Sequence, residues 1–103
     1  MVYARAKIKA YEASAQANLR SIAIACDIYY YENFKYPETL NGLNISESLK
    51  KADSPETAFQ KYFYVYKSES DRYVLYAKPQ NKNWNTIYTD QTKDIKILKP
   101  NFQ

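Results

Sequence analysis

From residue 2 to residue 32 the chain contains neither glycine nor proline, and almost every residue there is a good helix former or is tolerated in a helix. Some thirty residues at roughly 1.5 Å each make a rod about 45 Å long. That is long for a chain of 103 residues, and few architectures can accommodate it. Within the run, Ala15, Leu19, Ile22, Cys26 and Tyr29 step by four, three, four and three, which is the buried stripe of an amphipathic helix. Before Leu19 the pattern thins to Ala4, Ala6, Ala10, Ala13, Ala15 and Ala17, a slender shaft interrupted by Arg5, Lys7, Lys9 and Glu12. Small side chains suit close packing against other helices, whereas residues 19–31 suit packing against a sheet. The two halves of the helix are therefore expected to have different neighbours.

The helical pattern is already running at Val2, with no Ser, Thr, Asp or Asn to cap it. The expectation is a helix that naturally starts earlier, with Met1 as an expression start. The opening "MVYARAKIKAYEA" has no short apolar core and no small-residue cleavage site, unlike a secretory signal peptide. No run approaches the roughly 18 to 20 apolar residues of a spanning helix.

After the helix, Tyr36-Pro37 sets a turn, because the residue before a proline is pushed out of the helical region. Residues 39–43 predict a short helical turn, ended by Gly42, the chain's single glycine, in a left-handed conformation. Residues 46–52 predict a second short helix with Ser46 as N-cap, and Ser54-Pro55-Glu56 opens a further turn. From Lys61 the period becomes two. "KYFYVYKS" sets Tyr62, Tyr64 and Tyr66 against Phe63 and Val65, and "RYVLYAKP" sets Tyr73, Leu75 and Ala77 against Val74 and Tyr76. Glu69-Ser70-Asp71 supplies a hairpin turn between them, and "NTIYTD" and "DIKILK" follow, joined by Gln91-Thr92-Lys93. The whole reads as one α+β domain: a helix over residues 1–32, a connecting loop over 33–59, and a three- to four-stranded antiparallel meander with a tail over 60–103.

Composition narrows the function classes. The chain has no histidine, the commonest acid/base group and metal ligand, and no paired nucleophile and base or glycine-rich phosphate loop. No catalytic residue, cofactor or metal is expected. Asp90, Asp94, Glu69 and Asp71 lack the spacing and the glycine of a calcium loop. Cys26, the single cysteine, sits among Ile22, Ala25 and Tyr29 and reads as a small core side chain. The net charge of +4 belongs to the C-terminal half, where residues 60–103 carry eight basic and four acidic groups.

The order of parts, and above all "NLRSIAIACDIYYYENFKYPETL", in which an aromatic helix end leads into a Tyr-Pro turn, resembles the type IV pilins and the pseudopilins of type II secretion. "YVLYAKP" followed by "TIYTDQTKDIKI" is similar to the closing strands of that family, although Lys93-Asp94 stands where many relatives have glycine. The family's cleavage site, methylated first residue and apolar half-helix have no counterpart in these residues. The resemblance implies a subunit anchored in the inner membrane of a bacterium and drawn by an assembly machinery into a helical extracellular filament of its own copies. Ala6, Ala10, Ala13 and Ala17 would then pack in the filament core. A type IV pilin is the first reading and a secretion pseudopilin the second.

Three further groups have a bland and a functional reading. Arg5, Lys7 and Lys9 form either a solvated helix turn or a contact to neighbouring subunits or lipid headgroups. Tyr29, Tyr30, Tyr31, Phe34 and Tyr36 are expected in the core, with electron transfer or base stacking as the alternatives. Lys67, Arg72, Lys78, Lys82 and Lys96, with Lys93 and Lys99, are either solvated sheet surface or a contact for a polyanion such as DNA. The last option defines a different function class, a small polyanion-binding module working through a basic sheet face.

Overall fold

Helix Val2–Asn33 (α1) runs 32 residues, and at about 1.5 Å per residue it accounts for the full 48 Å long axis of the molecule. In this computed structural model the structure describes residues 2–100, with side chains from residue 4; Met1, the expected expression start, and residues 101–103 of the tail lie outside the described residues. The helix ends without glycine. Phe34 takes a left-handed backbone, φ 60°, and its N–H donates to the Tyr30 carbonyl at 2.7 Å. The Asn33 side chain closes the end by donating to the Tyr29 carbonyl at 3.0 Å.

The connecting region is held by caps and clamps. The N–H of Asn41 donates to the Thr39 hydroxyl at the 3-10 turn Leu40–Gly42, and that of Leu49 to Ser46 at the short helix Glu47–Lys51 (α2). A second 3-10 turn spans Pro55–Thr57. Gly42 departs from expectation, because no glycine in the described residues has a positive φ. A Cβ there would meet only the Tyr29 ring at 3.8 Å, so neither backbone nor space demands glycine. The buried Pro37 carbonyl accepts from the Tyr66 hydroxyl at 2.6 Å and the Ser68 hydroxyl at 2.8 Å. Tyr36 N–H meanwhile reaches Ser70 O at 3.0 Å, which fastens the Tyr-Pro turn to the first hairpin.

Strands Tyr62–Glu69 (β1), Arg72–Pro79 (β2), Thr86–Asp90 (β3) and Lys96–Leu98 (β4) form an antiparallel meander in sequence order. The register pairs Glu69 with Arg72 across a two-residue turn, Tyr76 with Tyr88, and Tyr88 with Lys96. With period two, Tyr62, Tyr64, Tyr73, Leu75, Ala77, Ile87 and Thr89 face inward and are buried. The helix lies across β2 and β3 and meets them with Ala15, Leu19, Ile22 and Cys26, while Leu43, Leu49 and Ala52 of the connecting region close one side. The fold is α+β, one long helix packed on a four-stranded antiparallel sheet.

The buried tyrosines bring hydroxyls into the core, and most are satisfied. Tyr62 donates to the Asn85 carbonyl at 3.1 Å, and Tyr64 accepts from the Asn18 amide at 3.0 Å. Among the described residues the Tyr73 hydroxyl is the one buried side-chain polar atom without a hydrogen-bond partner.

Candidate functional site

One helix turns its two faces to different surroundings. Ala6, Ala10, Ala13 and Ala17 are all exposed and share one stripe, on the side of α1 opposite Ala15, Leu19, Ile22 and Cys26. The same stripe continues past the expected shaft through Ile24, 58% exposed, Ile28, 56%, and Tyr31, 85%, and Phe34 stands beyond it at 83%. An apolar line therefore runs the described length of the helix on its uncovered side, broken near Arg20 and Ser21. This corrects two expectations. Residues 19–31 do not serve the sheet alone, and the core reading of the aromatic cluster fails for Tyr31 and Phe34. Tyr29 and Tyr36 do pack against the core, and Tyr30 is 37% exposed. The seven-, four- and three-residue steps from Ala17 to Ile24, Ile28 and Tyr31 carried the signal. It is hard to see because this half of the helix is apolar on both sides.

Arg5, Lys7 and Lys9 are exposed; Arg5 and Lys9, four residues apart, share one side of the helix, and Lys7 lies on another. Lys7 turns toward the sheet side, where with Ile8, Tyr11, Lys61 and Trp84 it lines an open cavity of about 380 Å³. Tyr11 and Trp84 stack there with ring centroids 5.8 Å apart.

On the other side of the molecule, the sheet face away from α1 carries Phe63, Val65 and Lys67 of β1, Arg72, Val74, Tyr76 and Lys78 of β2, Tyr88 of β3 and Lys96 of β4. Four of the five basic residues singled out in the sequence thus share one face. Lys82 does not, because it lies in the β2–β3 loop. Arg72 is engaged by Glu69 at 3.3 Å and Asp71 at 3.6 Å. Lys93 sits in the β3–β4 turn with φ 69°, and its ammonium meets Asp27 of the helix at 2.8 Å. Lys99 follows β4 and is exposed. Asp90 caps that same turn: the Thr92 hydroxyl and N–H donate to its carboxylate at 2.6 and 2.9 Å and hold it below the usual carboxylate range, with Lys96 adding to the effect.

Burial pushes the Cys26 thiol up to about 12, so at neutral pH it is neither a nucleophile nor a metal-binding thiolate. Burial likewise raises Tyr62 and Tyr64 to about 12. Among the described residues no three His, Cys, Asp or Glu side chains converge as a metal site, and no helix is long and apolar enough to cross a membrane. Neither a family model, a curated protein nor a solved structure matches the chain.

Proposed function

We propose that this chain is the head and half-helix of a type IV pilus subunit, which polymerises into a helical filament through the uncovered side of α1. The observation that carries the reading is the apolar line of Ala6, Ala10, Ala13, Ala17, Ile24, Ile28 and Tyr31, opposite a complete core. A folded monomer gains nothing from exposing such a line, whereas a helix–helix contact buries it. Alanines lower the separation at which two helix axes can approach, so the N-terminal half is the part suited to a crowded filament axis. A single such surface used head to tail under a screw operation produces an open fibre and not a closed ring. In this reading a preceding apolar segment holds the precursor in the inner membrane until the assembly machinery extracts it, and the sheet faces outward.

The test is to introduce Ala10→Trp and Ala17→Trp singly into the native gene and to image surface filaments. The expected outcome is loss of filaments, while the same changes in this chain alter the unfolding free energy by less than about 0.5 kcal/mol, since both sites are exposed. Normal filaments from both variants would refute assembly through this stripe.

A further inference from the structure

We propose that the uncovered sheet face binds single-stranded nucleic acid, with bases stacked on Tyr76 and Tyr88 and phosphates taken by Lys67, Lys78 and Lys96. This surface lies on the opposite side of the molecule from the helix stripe, and the inference does not rest on the filament reading.

The register builds the platform. Tyr76 and Tyr88 are direct cross-strand partners on the outer face, with ring centroids 5.5 Å apart and planes tilted by 35°. Val65 flanks Tyr76 in the same row, and Lys96 flanks Tyr88. Lys78 stands over the Tyr76 ring at 5.6 Å, opposite Phe63 on β1. Lys67 lies opposite Val74, one row away. The two rings are half-buried and all three lysines are exposed. No ion pair within 4.0 Å engages Lys67, Lys78 or Lys96 among the described residues, although Lys96 directs part of its field to Asp90, whose carboxyl it helps to lower.

These features select the ligand class. An apolar centre with aromatic rings calls for a flat, unsaturated surface, and a lysine rim calls for regularly spaced anions. An unpaired strand offers both at once, with π-faces on one side and phosphates along the other. A duplex hides its base faces, so it could use only the rim. A second copy of this face would set lysines against lysines, with only Glu69 and Asp90 to offset them. An acidic polysaccharide would satisfy the lysines without needing the ring planes.

The experiment is fluorescence anisotropy of a labelled oligothymidine of about fifteen nucleotides, against a duplex of equal length and against heparin as competitor, between about 20 and 200 mM salt. Neutralising three phosphates predicts that log K falls with log salt at a slope of about −2. Tyr76→Leu and Tyr88→Leu should each weaken binding by about tenfold at unchanged slope. Tyr76→Phe and Tyr88→Phe should retain binding, which separates loss of stacking from loss of folding. Lys78→Glu and Lys96→Glu should weaken binding and flatten the slope. The proposal is overturned by absence of binding at the lowest salt, by equal affinity for the duplex, or by tyrosine-to-leucine variants that bind as the parent does. Preference for heparin with no response to the tyrosine changes would likewise sink it, and would identify a polysaccharide surface.

Discussion

Left-handed backbone falls on residues that tolerate it poorly. Phe34, Gln60, Lys61 and Lys93 have φ between 54° and 72°, while the single glycine has no positive φ. A non-glycine residue in this region costs roughly 1–2 kcal/mol. At Phe34 the side chain returns little, being 83% exposed, so Phe34→Gly is expected to raise stability by about 1 kcal/mol. Lys93→Gly should be close to neutral, because the same relief is offset by losing the exposed ion pair to Asp27, worth at most about 1 kcal/mol. Urea unfolding of the two variants checks both, and equal stabilisation of both would mean that the ion pair contributes nothing. Gly42 shows how position alone misleads. It follows a short helical segment in the sequence as a left-handed cap would, yet its turn is closed by the N–H of Leu43 donating to Leu40 O, with no reversed backbone at all.

At the scale of elements, α1 is two helices' worth of information on one rod. Its inner stripe was legible because Leu19, Ile22 and Cys26 keep strict helical steps, and the sheet was legible because tyrosines and β-branched residues alternate cleanly through β1 and β2. The outer stripe was legible only where alanines thin the pattern. In residues 19–31 both faces are apolar, and only the position of the sheet shows that Ile22 is buried and Ile24 is 58% exposed. The two isoleucines therefore make a controlled comparison. Ile22→Ala is expected to destabilise by about 2–5 kcal/mol through lost burial and a cavity. Ile24→Ala should stay within about 0.5 kcal/mol of the parent. Chemical denaturation of this chain measures both, and a large loss at Ile24 would mean that the stripe is already covered in the isolated protein.

For the whole molecule, the two-layer arrangement puts the helix stripe and the aromatic, basic sheet face on opposite sides, so a filament built on the first leaves the second accessible. The core between them is unusual in its phenols. Tyr62 and Tyr64 are raised from 10.0 to about 12, and Tyr36, Tyr66 and Tyr73 are also raised, in each case chiefly by burial. Between pH 10 and 12 the unfolded chain has released these protons while the folded chain still holds them, so stability falls as pH rises. Their contribution is intact below pH 10 and is lost as pH climbs through about 12. Absorbance at the tyrosinate band, followed together with far-ultraviolet circular dichroism, should show the buried tyrosines ionising only as the fold is lost. Twelve tyrosines titrating together near pH 10 with the dichroism intact would contradict the buried assignment.

The sequence by itself determined the long helix with its inner stripe, the meander, the hairpin turn at Glu69-Ser70-Asp71 and which residues of β1 and β2 share a face, but not which of the two sheet faces is buried. The features it determined are local matters of period, propensity and turn chemistry, and each can be read within a few residues. Which surfaces are left over was decided only by the tertiary structure. Ile24, Ile28, Tyr31 and Phe34 are as apolar as their buried neighbours, and Lys67, Lys78 and Lys96 lie far apart in the chain. Burial depends on where the sheet docks, and a shared face depends on strand register. Neither quantity belongs to any one segment.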